Sequence, residues 1–203
     1  MLSDPTLNRL CQLSSAIGML DKDRVSSTEL GRFIGTAPHN IRKDLNALGG
    51  IESTKAGYIT EKLDSFIRDK LGLNREIKAC IAGMSDLGIS ILEAEKHFPD
   101  SPISIVAGFD PSINRLETLK TDLKLYPSYE MSERISEMGI AMGIIAAGPS
   151  DVEGLAQRLI DGGVKGIINL SDTALNIKKE GVFIREINFF REFMFVAARI
   201  SGC

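Results

Sequence analysis

The chain has 203 residues, of which 43% are hydrophobic and 25% charged, with a net charge of −3. That length allows one large domain or two small ones, each with its own apolar core. No apolar run approaches the roughly 18–20 residues that span a bilayer, and the first residues have neither the basic nor the apolar part of a signal peptide, so no membrane partner and a cytoplasmic location are expected. The three cysteines, Cys11, Cys80 and Cys203, stand far apart, and His39 and His97 have no second ligand nearby. That pattern argues against a disulfide framework and against a metal site. Charge is unevenly spread, with a balance of +2 over residues 1–75 and −5 over the remainder.

Residues 5–20 read as a first helix, with Pro5 in its first turn and Leu7, Leu10, Leu13 and Ile17 at helical spacing. Ser26 and Glu29 form a capping box that opens a second helix, predicted to carry Leu30 and Phe33 inward and to stop at Gly35. A third helix follows at once, with Thr36 as the expected N-cap and Pro38 in its first turn. Ile41, Leu45 and Leu48 then face the core. His39, Asn40, Lys43 and Asn46 are left outside with Arg42 at the margin, and Gly49 and Gly50 end the helix. Two short helices joined by a Gly-containing turn are a helix-turn-helix, whose second helix can enter a major groove. Residues 51–60 read as a hairpin wing with Lys55 and Gly57 near its tip. The DNA-facing set is therefore Ser27, Thr36, His39, Asn40, Arg42, Lys43, Asn46, Lys55 and Gly57. A small helical domain with solvated charges, or a winged helix that binds protein, is the other reading of this segment.

Residues 61–73 read as a connecting helix that ends near Gly72. Strands then alternate with helices: strand 78–84, helix 87–97, strand 103–109, a helix from Asp110 and Pro111 to about Leu123, helix 130–138, strand 141–147, a helix from Pro149 to about Asp161, and strands 166–170 and 182–187. Nearly continuous apolar strands in such an alternation imply an α/β fold, a Rossmann-like doubly wound parallel sheet covered on both faces. The first strand-helix junction reads Gly83, Met84, Ser85, Asp86, Leu87, Gly88, against Gly-x-Gly-x-x-Gly in a dinucleotide turn. Gly83 can make the tight turn and Gly88 allows close helix packing. Ser85 stands where glycine lets the backbone approach a pyrophosphate. Asp86 places a negative charge at the helix N-terminus, where phosphate would bind. Asp110 closes the second strand, where an acid accepts from ribose hydroxyls; N-capping is its other reading. A glycine turn that binds no dinucleotide remains the alternative for 83–88. Neither histidine is placed for proton transfer at a nicotinamide, so an enzyme is not expected. Residues 188–200 are apolar around most of the helical circumference, and such a helix must be buried on nearly all sides. Insertion into a second subunit, giving a two-fold dimer, is the expected solution, and a core helix of the monomer is the other.

Several segments together resemble the bacterial redox-sensing transcriptional repressor family Rex over nearly the full length. They are Arg9 and Leu10; residues 25–30 with Ser26 and Glu29; residues 41–45 with Arg42 and Lys43; the tract Leu71 to Arg75; and Gly166 to Asn169. The resemblance implies a homodimer with a winged helix (1–75), a Rossmann domain (76–187) and an exchanged C-terminal dimerisation helix (188–203). It implies AT-rich palindromic double-stranded DNA as partner, and NADH/NAD+ as regulatory ligand, NADH releasing the DNA and NAD+ compatible with binding. Nucleotide contacts are then expected from Gly83, Met84, Ser85, Asp86, Leu87, Gly88, Asp110, Pro149, Asn169 and Phe189. The departures are concentrated on sensing. Residues 83–88 replace the family's Gly-x-Gly-Asn-Leu-Gly, and Ala147 and Gly148 replace Thr-Val before Pro149. Glu186, Ile187 and Asn188 replace Asn-Val-Asp, and Ser14 and Ser15 stand where the basic partner of that aspartate is usual. In the DNA-binding part, Ala47 and Leu48 replace Tyr-Phe before Gly49, and Lys55 and Ala56 open the wing sequence that usually reads Arg-Gly-x-Gly-Tyr. The expectation is a Rex-like repressor with a weakened NADH response; the alternatives are a repressor that has lost NADH sensing or senses another ligand, and, from another class, an NAD-dependent oxidoreductase.

Overall fold

The structure, a computed structural model, describes residues 2–54, 56–95, 101–148 and 151–202. The chain divides into two compact units, Met1–Arg75 and Glu76–Cys203.

The first unit runs α1 (Asp4–Ile17), β1 (Arg24–Val25), α2 (Ser27–Phe33), α3 (Pro38–Ala47), β2 (Tyr58–Ile59) and α4 (Thr60–Leu71). Leu10, Leu13 and Ile17 of α1 recur on one face and meet Leu30, Ile41, Leu45, Leu63 and Ile67 in one buried cluster. One charge enters this core. Asp44, 2% exposed, accepts from Arg9 Nε at 2.6 Å and Nη2 at 2.8 Å and from Thr6 Oγ1 at 3.2 Å. A buried carboxylate is tolerated only with such partners, and here they pin α3 to α1. Asp44 also holds the Arg9 guanidinium above its ordinary pKa, through the hydrogen bond first.

Four expectations need correction in this unit. Phe33 points outward and is 58% exposed. The inward sector of α2 is set by Leu30, Gly31 and the half-buried Ile34, because a Cβ at Gly31 would lie 2.5 Å from the Thr36 carbonyl; Phe33 falls at its edge. The N-cap of α3 is Ala37, without a side-chain cap, while the Thr36 hydroxyl accepts from Asn40 Nδ2 at 3.1 Å. The first helix ends at Ile17. Among the described residues of 51–60 no continuous hairpin ladder forms. Thr54 and Gly57 make an isolated bridge, and β2 pairs antiparallel with β1, Arg24 opposite Ile59 and Val25 opposite Tyr58. A two-residue strand is too short to show a period of two.

The second unit contains β3 (Ile77–Ala82), α5 (Asp86–Glu95), β4 (Ile103–Asp110), α6 (Ile113–Thr118), β5 (Leu125–Pro127), α7 (Met131–Met138), β6 (Met142–Ile145), α8 (Val152–Gly162), β7 (Gly166–Asn169), β8 (Phe183–Glu186) and α9 (Phe189–Ile200). All pairings are parallel, in the order β5-β4-β3-β6-β7-β8. This is the doubly wound arrangement, with its switch point between β3 and β6. Alternate residues of β3 serve different faces: Cys80 and Ala82 pack with Met131, Ile135, Leu155 and Leu159 of α7 and α8, whereas Ile81 packs with Met84 and Leu92. Asp110 is not a helix cap, since Ser112 caps α6 by accepting from the Arg115 amide at 3.3 Å. That helix stops at Thr118 rather than Leu123, and the chain enters the unforeseen β5. The part of the expected helix 87–97 beyond residue 95, with His97, lies outside the described residues, as do Lys55, Pro149 and Cys203.

Helix α9 starts cleanly, Asn188 Oδ1 accepting from the Arg191 amide at 2.9 Å, yet it buries no residue. Phe190, Phe193, Met194 and Ile200 are 68%, 65%, 74% and 82% exposed.

Arg9→Ala leaves Asp44 buried with one hydroxyl partner. A loss of about 2 kcal/mol is expected in the first unit, measured as faster hydrogen exchange in α1 and α3; unchanged exchange there would contradict the pinning role.

Candidate nucleic-acid interface and nucleotide turn

The α2–α3 pair presents its polar side from two well-fixed helix starts. Ser26 Oγ accepts from the Glu29 amide at 3.2 Å, and Glu29 Oε2 accepts from the Ser26 amide at 2.9 Å. These bonds, the Ser26 amide first and then Lys22 at 2.9 Å, pull the Glu29 carboxyl down to about 2. Arg42 Nη1 donates to Ser27 Oγ at 2.9 Å and so joins α3 to the first residue of α2. His39, Arg42, Lys43 and Asn46 are exposed, and Asn40 is half-buried beside Thr36. The three consecutive charges thus divide: Asp44 goes into the core, and Arg42 and Lys43 go out.

Gly57, at φ +95°, cannot be replaced without strain, since a Cβ would collide with the Val25 carbonyl. Beside it Arg24 Nη1 donates to Thr54 Oγ1 at 3.2 Å. Arg24 is an exposed cation at the wing that the sequence reading missed, because β1 gave no pattern to place it.

The turn of the second unit keeps two of its three glycine roles. Gly83 has φ +98°, and a Cβ there would lie 2.6 Å from Ala147 Cβ; Gly88 packs against the Gly83 carbonyl. Among the described residues no non-glycine has positive φ, so Ser85 closes the turn without backbone strain. Glycine is needed there only for access. The Ser85 hydroxyl donates to the Ala146 carbonyl at 2.6 Å. Met84 is buried, Leu87 half-buried, and Asp86 exposed in the first turn of α5.

Asp110 is fully buried at the end of β4. Its Oδ2 accepts from the Met84 amide at 2.7 Å and Arg115 Nη1 at 2.9 Å; its Oδ1 accepts from the Ser112 amide at 2.8 Å and the same Nη1 at 3.2 Å. Asn169 is buried as well, its Oδ1 accepting from the Ser171 amide and hydroxyl and its Nδ2 donating to the Thr173 carbonyl at 2.8 Å. Phe189 lies on α9, 48% exposed.

Residues 1–46 match a family model described as "Putative DNA-binding protein N-terminus". A redox-sensing transcriptional repressor Rex from Maridesulfovibrio salexigens is 31% identical over 200 residues, covering 97% of this chain and 95% of the relative. The chain belongs to the Rex family. A crystal structure of RSP in complex with beta-NAD+ and operator DNA matches at a TM-score of 0.88 and 25% identity, over 98% of this chain and 93% of that one. RSP, described as a Rex-family repressor, matches at 0.85 over 98% and 95%; it has also been crystallised with beta-NADH. The Rex relatives are named transcriptional repressors, not enzymes. Tyr58 precedes Lys62 by four residues, an oxidoreductase-like spacing, but Tyr58 is buried in the first unit's core. Cys80 is buried, which pushes its thiol up to about 12 and keeps it protonated and inert.

The dinucleotide of Rex proteins fits this chain's turn in part. Gly83 and Gly88 provide the tight turn and close packing, while Ser85 stands in place of the middle glycine and Asp86 puts a carboxylate in the first turn of α5.

A carboxyl NMR titration of Glu29 is expected to show a midpoint near 2, and one near 4.5 contradicts the capping geometry. Since the folded pKa lies below the unfolded one, the stabilisation of α2 is full above pH 4.5 and is lost as pH falls towards 2.

Proposed function

We propose that this Rex-type repressor acts in the cytoplasm as a homodimer on AT-rich palindromic DNA, and that NADH releases it less readily than a full fingerprint would allow. The observation that carries the DNA reading is the division of α3, with Asp44 locked inward and Arg42 and Lys43 outward. A helix so fixed offers its outer row to a major groove. Ser27, Thr36, His39, Asn40, Arg42, Lys43 and Asn46 are the proposed contacts there. Gly57, Arg24 and the sequence-assigned Lys55 serve the wing, where cations favour the narrow minor groove of AT-rich tracts.

The dimer rests on α9. Its large apolar side chains, Phe190, Met194, Phe195 and Ile200 among them, lie exposed, and Phe189, Phe193 and Val196 are proposed to insert into a second subunit. A two-fold dimer then matches a palindrome. Gly83, Met84, Ser85, Asp86, Leu87, Gly88, Asp110, Asn169, Phe189 and the sequence-assigned Pro149 are kept as the proposed nucleotide contacts, with Asn169 shaping the loop through its own hydrogen bonds rather than offering them outward.

Fluorescence anisotropy on an AT-rich palindromic duplex tests the reading. Lys43→Ala is expected to weaken binding to operator and non-operator duplexes alike and to lower the salt slope by about one. Wild-type affinity and slope in that variant would remove α3 from the interface. Phe193→Asp is expected to sediment as a monomer, and a stable dimer in that variant would contradict insertion of α9.

A further inference from the structure

We infer that Arg115 is an intramolecular competitor of the adenosine ribose, occupying the acid that a dinucleotide would use; this rests on the nucleotide-sensing part of the proposed function. A carboxylate offers about four lone-pair positions. At Asp110 all four are taken, two by the backbone amides of Met84 and Ser112 and two by the single Nη1 of Arg115. The amide bonds belong to the fold, since they tie the turn after β3 and the start of α6 to the end of β4. The Arg115 bonds are of another kind. Its side chain is 48% exposed while Asp110 is 0% exposed, so the guanidinium covers the carboxylate from the solvent side.

In a Rossmann site the acid at this strand end accepts from ribose hydroxyls. Asp110 can do so only if Arg115 leaves. The ion pair is half in water, so its loss is affordable, but every ribose hydrogen bond is gained by breaking one already made. The net contribution of the hydroxyls therefore falls towards zero. Arg115 sets nucleotide selectivity without touching the nucleotide, as a positioning residue for Asp110.

Calorimetry with NADH and with its adenosine 2′-deoxy analogue separates this from a structural role. Wild-type protein is expected to bind the two equally, because the 2′-hydroxyl has no acceptor to gain. Arg115→Met is expected to bind NADH about tenfold more tightly than the deoxy analogue, the worth of a hydrogen bond to a charged group. A wild type that already prefers NADH by that factor overturns the inference, and so does a folded Arg115→Met without preference. If neither protein binds either nucleotide, the inference fails together with nucleotide sensing, while operator binding by the same samples shows that the DNA reading stands.

Discussion

Asp110 ends β4 with both oxygens buried and bonded to the Met84 amide, the Ser112 amide and Arg115. The nucleotide end of the second unit is built around that carboxylate. Without partners it would cost several kcal/mol to bury, so the turn after β3 and the start of α6 are held where they can supply amides. Met84, drawn in by its amide, covers Gly108 so closely that a Cβ there would lie 2.7 Å from the Met84 sulfur. Ser85 is then delivered to the end of β6, where its hydroxyl reaches the Ala146 carbonyl. The hydrogen bonds that shape this turn thus occupy the Met84 amide, the Ser85 hydroxyl and the Asp110 carboxylate.

The first unit uses a buried aspartate to the opposite effect. Asp44 draws Arg9 and Thr6 inward and fixes the rotation of α3 about its axis. Its neighbours Arg42 and Lys43 are thereby turned outward. One buried carboxylate turns two cations outward; the other is covered by its own counter-ion. The absence of covering for α9 adds the third element: its aromatic side chains lie open over residues 189–200, and a second copy of the chain supplies the covering in the proposed dimer.

Long periodic segments were legible in the sequence. The helical spacing of Leu10, Leu13 and Ile17, the Ser26 capping box and the alternation of β3, β4, β6 and β7 with helices all correspond to elements in the structure. Short elements were not, because two or three residues carry no period: β1 and β5 were missed, and with β1 the position of Arg24. Phe33 shows a second limit. Its apolar character suggested burial, but the small Gly31, which permits the close approach of α3, decided which side of α2 faces inward. Asp110 shows a third. Asp-Pro before a helix reads equally as cap and as ribose acid, and only the structure shows that Ser112 caps the helix while the Asp110 carboxylate accepts from the Met84 and Ser112 amides and from Arg115. Arg115 lies outside every motif.

The turn at 83–88 has Rossmann geometry, and in the proposed function Ser85 and Asp86 resist the pyrophosphate there. Titrating the preformed operator complex with NADH, for the wild type and for Ser85→Gly with Asp86→Asn, tests it directly. Removing one opposing charge from a helix N-terminus is worth on the order of 1–2 kcal/mol, so the double variant should release DNA at about one-tenth of the NADH concentration. Coincident release curves for the two proteins would contradict the account.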